Sequence, residues 1–219
     1  MVFYAVANGR SIKIFSNWSD CSDSVKGFKH AIYKKFETME EAEMFMQIHT
    51  EQIQIHNKPD IEIQEDTSID YYVYTDGGCS NNGQTNAIAG IGIFFGLNDT
   101  RNVSKQIKGK QTNNTAELSA IIETYAIIEK DVLIHGKNIA IVSDSEYAIK
   151  CVTSYGEKCC KKNWNVDIPN KELVKTAYNM YKERQNVTFI HIKAHTNKTD
   201  IHSIGNAHAD RLASLAITN

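Results

Sequence analysis

YYVYTDGGCSNNG, residues 71–83, is the stretch on which the reading of the whole chain turns. The run from Asp70 to Thr75 is short, aromatic and β-branched, the composition of a strand. Asp76 follows at the expected end of that strand, with Gly77 and Gly78 directly behind it. An acid in this position can form a turn. It can equally present a carboxylate to a metal ion at the edge of a sheet. The choice depends on what the rest of the chain brings to the same edge.

Outward from this strand the pattern alternates. AGIGIFF and VSKQIK read as two further strands, and NNTAELSAIIETYAIIEK has the length and apolar spacing of a helix. NIAIVS (strand), SEYAIKCV (helix), NKELVKTAYNMYKER (helix), VTFIHIK (strand) and GNAHADRLASLAI (helix) complete the series. Three strands followed by alternating helices and strands predict an α/β fold, a mixed sheet with helices packed against it. This region, 70–219, is expected to form one domain. Residues 1–52 have a different texture: FYAVANG and SIKIF form a hairpin around Asn8-Gly9, a short helix covers Cys21 to Val25, IYKKFE adds a strand and MEEAEMFMQIH a helix. Between them, 53–69 is polar and acidic, contains Pro59 and lacks helical periodicity, so it reads as a linker.

Composition bounds the function. The chain has 219 residues and a formal net charge of −2, with 42% hydrophobic residues, enough for a packed core. No apolar run approaches the roughly 20 residues needed to span a bilayer, and MVFYAVANGRSIKIF lacks the pattern of a secretory signal, so no membrane association is expected. Five cysteines, an odd count without framework spacing, fit a reducing intracellular compartment, cytoplasm or nucleus, and the adjacent Cys159-Cys160 pair lacks zinc-site spacing. The near-neutral total counts against a uniformly basic nucleic-acid binder, although lysines cluster at 34–35, 108/110 and 158/161/162. Taken alone, each cluster reads as a solvated face.

Four acids sit at telling positions. Asp76 closes the first strand of the larger domain, and Asp144 directly follows NIAIVS in the same way. Glu117 lies one turn into its helix, on the side carrying Ile121, and Asp210 lies in the last helix behind Ala207 and Ala209. Were the two strands neighbours, Asp76 and Asp144 would emerge together, and adjacent carboxylates repel unless protonated or neutralised by a cation. An all-oxygen cluster suits Mg²⁺. Taken one at a time, Asp144 can be a helix N-cap, Asp76 a turn former, Glu117 a first-turn acid and Asp210 half of a surface pair with Arg211.

TDGGCSNNG, AGIGIFF, GKQTNNTAEL, IVSDSEYAI, IKAHT and GNAHADRLA occur in this order, and together they resemble the type 1 ribonuclease H family over nearly all of 70–219. FYAVANGR, NWSDC and VKGFKHAIYKKFETMEEAEMFM resemble the hybrid-binding module that precedes the nuclease in eukaryotic-type members and recurs in viral inclusion-body proteins. The resemblance implies a ribonuclease H-like mixed five-stranded sheet with flanking helices, preceded by a small α+β hybrid-binding domain. It implies an endonuclease that hydrolyses the RNA strand of RNA–DNA hybrids by a two-metal-ion mechanism and leaves 5′-phosphate and 3′-hydroxyl ends. The alternative from another class is a catalytically idle hybrid-binding or inclusion-body protein.

Residue by residue, the resemblance makes Asp76, Glu117, Asp144 and Asp210 the metal-binding carboxylates for two Mg²⁺ ions, with Mn²⁺ able to substitute. His195 becomes the histidine assisting product release, while His191 is expected in the sheet and His202 in a loop. Asn82, Asn113 and Asn114 fall where the family contacts the RNA 2′-hydroxyl, and an asparagine amide can both donate and accept there. Lys110, Thr112 and Asn170 match a pocket for a DNA-strand phosphate, with Lys where relatives often carry the bidentate Arg. Trp18, Tyr33, Lys34 and Lys35 match the binding positions of the first domain. The partner implied is an RNA–DNA hybrid, bound by a monomer. Two departures stand out: YGEKCCKKNW (155–164), in place of the basic substrate handle, has the single Trp164, and HTNKTDIHSIGNAHAD reads as a loop longer than in short bacterial forms.

Overall fold

A computed structural model describes residues 2–29, 31–39, 41–43, 45–46, 68–194 and 200–218. These fall into two compact units, one up to residue 63 and one from residue 64 onward. His195 and all but Ser68 and Ile69 of the expected linker lie outside the described residues.

The first unit is a three-stranded antiparallel sheet, β1 (Phe3–Asn8), β2 (Lys13–Phe15) and β3 (Ile32–Phe36), in the order β2-β1-β3. A helix, α1 (Trp18–Val25), crosses it, starting three residues earlier than the sequence pattern because the Asn17 side chain accepts a hydrogen bond from the Asp20 amide. Of the helix expected over 39–49, residues 39, 41–43 and 45–46 are helical, and the rest lie outside the described residues. Val6, Phe15, Cys21 and Val25 form its small core.

The second unit holds a five-stranded sheet in the order β6-β5-β4-β7-β8. Its strands are β4 (Tyr71–Ser80), β5 (Ile88–Phe94), β6 (Val103–Gln106), β7 (Ile139–Ser143) and β8 (Val187–His191). β4, β5 and β6 pair antiparallel, whereas β7 and β8 join β4 in parallel, so the sheet is mixed as expected. Among the described residues five helices flank it: α2 (Asn113–Leu133), α3 (Glu146–Val152), α4 (Ser154–Lys161), α5 (Lys171–Tyr181) and α6 (Ile201–Thr218). Strand alternation divides the core. Val73, Ile91, Ile93, Ile139 and Ile141 pack with Leu118, Ile121 and Ile128 of α2 and Val174 of α5, while Tyr74, Phe94 and Val142 pack with Ala209 of α6.

Two expectations need correction, and one segment left without an expected conformation acquires one. Asp76 does not end a strand: β4 runs through Asp76, Gly77 and Gly78 to Ser80, paired with β5 throughout. The glycines form no turn here. A Cβ on Gly77 would collide with the Glu117 backbone nitrogen, and one on Gly92, opposite Asp76, with the Ala209 carbonyl, so bare backbone is what lets α2 and α6 approach the strands. His202 is not in a loop, because α6 begins at Ile201, where Asp200 accepts hydrogen bonds from the amides of His202 and Ser203. The 155–164 segment is largely helical, and Trp164 is buried against Tyr178.

Candidate metal centre and nucleic-acid interface

β4 outlasts its parallel neighbour. Their pairing stops at Tyr74 opposite Val142, and β7 ends at Ser143, leaving Asp76 and Asp144 at the place where the sheet opens. By strand parity Asp76 shares a face with Tyr72 and Tyr74, which pack on the α6 side. Asp144 does not cap α3. Ser145 does, its hydroxyl accepting from the Ala148 amide, so the Asp144 carboxylate is committed elsewhere. Glu117 enters from α2, whose start is fixed by a reciprocal cap between Thr112 and Thr115. The outcome is a cluster: Asp76, Glu117 and Asp144 each offer a carboxylate oxygen, all within 4.8 Å of one another. Asp210 comes from α6, near enough that its charge acts on Asp76.

The electrostatics are those of a site short of positive charge. Burial first, then the charges of Asp144 and Asp210, push the Asp76 carboxyl up to about 7, against a hydrogen bond from the Gly77 backbone. Glu117 is raised well above the carboxylate range, by burial and then by Asp76 and Asp144, again opposed by Gly77. Its Oε2 is buried and finds no hydrogen-bond partner among the described residues. Buried carboxylate oxygens without donors, packed against like charges, are costly in a bare protein and suited to a divalent cation. The donor set, oxygen only, fits a hard ion such as Mg²⁺ or Mn²⁺.

Asn206 also belongs to the cluster, and the sequence reading missed it. Its Nδ2 donates to Asp144 Oδ2 at 2.9 Å. The signal available was its spacing, one helical turn before Asp210 on the same face.

The substrate-contact candidates divide. Asn82 Oδ1 accepts from the Asn113 amide at 3.3 Å, which brings the 80s turn to the start of α2, with Asn114 exposed beside it. Lys110 and Asn170 line one cavity of about 330 Å³ together with Lys108, Thr115 and Lys171. Asn170 has a left-handed backbone and donates to the Tyr147 hydroxyl at 3.2 Å. Thr112 is occupied as the α2 cap. In the first unit, Trp18 and Tyr33 are about half exposed, with ring centroids 6.1 Å apart. Strand alternation puts Lys35 on the face of Tyr33 and Lys34 on the other, where its Nζ lies 5.6 Å from the Phe36 ring centroid. Among the described residues no helix is long and apolar enough to cross a membrane.

A family model described as RNase H matches residues 68–218, and one described as Ribonuclease H1 N-terminal domain matches residues 2–46. The chain belongs to the ribonuclease H family, a class of nucleases, and carries the N-terminal module of its H1 branch. It is 32% identical over 264 residues to Ribonuclease H of Schizosaccharomyces pombe, covering 96% of this chain and 95% of that one. It is 27% identical over 260 residues to human Ribonuclease H1, covering 97% and 88%. In structure it resembles the protease-reverse transcriptase of prototype foamy virus, at a TM-score of 0.57 and 21% identity over 74% of this chain and 23% of that one, which speaks for the fold.

Proposed function

We propose that this chain is an endonuclease that hydrolyses the RNA strand of RNA–DNA hybrids with two bound Mg²⁺ ions, leaving 5′-phosphate and 3′-hydroxyl ends. The observation that carries this reading is the cluster of Asp76, Glu117 and Asp144, in which buried Asp76 and Glu117 are pushed toward their protonated forms. A hybrid-binding protein without catalysis gains nothing from burying these acids together at the open end of a sheet. Bound divalent ions supply an activated water and charge stabilisation for the leaving 3′-oxygen. The chain's own contribution is to hold the carboxylates in place on β4, α2 and the end of β7, with Asp210 adding charge from α6. The Gly77 backbone, close to both Asp76 and Glu117, favours their charged forms against burial.

Around this centre Asn82, Asn113 and Asn114 are suited to reading 2′-hydroxyls, each amide being both donor and acceptor. The Lys110–Asn170 cavity is suited to a phosphate of the DNA strand. Trp18, Tyr33 and Lys35 offer the first domain an aromatic and basic face for the duplex, and Lys34 adds charge from the opposite side of the same strand. His195 remains our candidate for proton transfer during product release, and Mn²⁺ our candidate substitute ion. We place the protein, as a monomer, in a reducing intracellular compartment.

The test is cleavage of a labelled RNA–DNA hybrid beside matched RNA–RNA and DNA–DNA duplexes, with Mg²⁺ and with chelator. Metal-dependent cuts confined to the RNA strand of the hybrid are expected. Equal cleavage of the DNA duplex would overturn the reading.

A further inference from the structure

The wall of the acidic cluster on the α6 side is built by a neutral residue. Asn206 is buried, with 6% of its surface exposed. Its amide nitrogen donates to Asp144 Oδ2 at 2.9 Å, while its own Oδ1 is buried with no hydrogen-bond partner among the described residues. A helix interior seldom tolerates an unpaired buried carbonyl, since each such group costs free energy that an apolar residue of the same shape would not. Something other than fold stability keeps an amide here.

We infer that Asn206 is a positioning residue for the metal centre: it holds the Asp144 carboxylate in the orientation that a divalent cation requires. The inference rests on the proposed cation site. Asp144 needs an outside restraint, because it lies beyond the last residue of β7 and its neighbour Ser145, not Asp144 itself, caps α3. Its side chain is thus unanchored by secondary structure. Repulsion from Asp76 and Glu117 would turn it away from the cluster. The Asn206 amide supplies the opposing attraction without adding a cation that would compete with the metal. Lys or Arg at this position would neutralise Asp144, and Asp would add a fifth negative charge. A neutral donor such as this amide fixes one oxygen and leaves the charge intact for the ion.

The helix that carries Asn206 is itself firmly registered. Asp200 caps its start, and the His202 ring sits edge-on to Tyr72, with ring centroids 4.8 Å apart, and near the Tyr74 hydroxyl, at 3.4 Å. Asn206 and Asp210 follow one and two turns later on the same face. One docking contact at β4 therefore sets both the donor to Asp144 and the charge beside Asp76.

Partners that orient a metal-binding side chain in this way typically change metal affinity or activity by about 10- to 100-fold when removed. The experiment uses the full chain and Asn206→Leu, which fills the same space, loses the donor and also removes the orphaned carbonyl. Mg²⁺ and Mn²⁺ binding is measured by titration calorimetry without nucleic acid, alongside thermal unfolding and hybrid cleavage kinetics. We expect a thermal midpoint at or above that of the unmodified chain in chelator, metal affinity weakened roughly 10-fold or more, and kcat reduced with KM for the hybrid little changed. Asn206→Ala carries the same expectation for metal affinity should the leucine variant not fold. Metal affinity within twofold of the unmodified chain in a folded variant overturns the positioning role. Absence of metal binding by the unmodified chain overturns the cation site itself, and a wrong choice of nucleic-acid substrate leaves the calorimetric result standing.

Discussion

Asp76→Asn should stabilise the metal-free protein, and only above about pH 4. The Asp76 carboxyl is raised from 3.8 to about 7 in the folded chain, chiefly by burial and then by Asp144 and Asp210. The folded state therefore holds a proton that the unfolded state releases between about pH 4 and about pH 7. By linkage, stability from this group is fully present below pH 4 and is lost as pH rises, by about 1.4 kcal/mol per pH unit. The loss stops once pH passes the folded value. With a shift of roughly three units, the total is about 4 kcal/mol, a large share of the ~5–15 kcal/mol available to a domain.

Asparagine keeps the shape and has no proton to lose, so the variant escapes this loss. Urea unfolding in chelator should then show the two proteins nearly equal at pH 4, diverging through pH 5 and 6, and separated by about 2–4 kcal/mol at pH 8. Saturating Mg²⁺ should close the gap at pH 8 by stabilising the unmodified chain, since an ion that binds only the folded state adds RT ln(1 + [L]/Kd). A constant difference across the pH range, or a variant less stable than the unmodified chain at pH 8 in chelator, would refute the reasoning.

Asp144→Asn should cut turnover to below a tenth of the unmodified rate in Mg²⁺ while leaving hybrid affinity nearly unchanged, as judged by gel shift in Ca²⁺. His195→Ala should slow turnover without abolishing it. His202→Ala should instead lower the thermal midpoint, because His202 packs against Tyr72 and Tyr74 at the start of α6, and a larger loss of kcat for His202→Ala would transfer the catalytic role to that residue. Removing residues 1–52 should preserve the chemistry, because Asp76, Glu117, Asp144 and Asp210 all lie beyond them, while reducing the number of cuts per encounter on a long hybrid at low salt. Lys110→Ala should raise KM at low salt and shrink the dependence of KM on salt, the behaviour of a lost phosphate contact.

Much of the fold was legible because the strands and long helices carry strong periodicity and because their alternation admits few sheet topologies. The acids were legible for a different reason: oxygen clusters need carboxylates, and the words around them are shared across a family. What the sequence hid depends on contacts between distant segments. α4 has Gly156 in its middle, a poor helix former, and is placed by packing, with Glu157–Lys161 as its local support. Trp164, at the end of the 155–164 segment, is buried against Tyr178 of α5, a contact between distant positions that the local sequence does not reveal. The start of α6 was legible in principle from Asp200 and Ser203, an acid followed three residues later by a hydroxyl that it binds, but a polar stretch rich in Thr and Asn masks it.

The end of β4 shows why such a miss bears on function. A Gly-Gly pair after an acid normally signals a turn, and on that reading the direction of the Asp76 side chain is arbitrary. In the folded chain both glycines stay in the pleat, opposite Ile91 and Gly90; a Cβ on Gly77 would collide with α2, while one on Gly78 would meet Ala213 of α6 only at ordinary contact distance. Strand parity therefore carries through Asp76: with Tyr72 and Tyr74 on the α6 side, Asp76 must face there too. One residue of slip would turn its carboxylate toward α2 and away from Asp210. The glycines thus do two things at once. Gly77 admits α2, which brings Glu117 to the sheet, as Gly92 opposite Asp76 admits α6 with Asp210, and the unbroken strand keeps Asp76 placed to meet them.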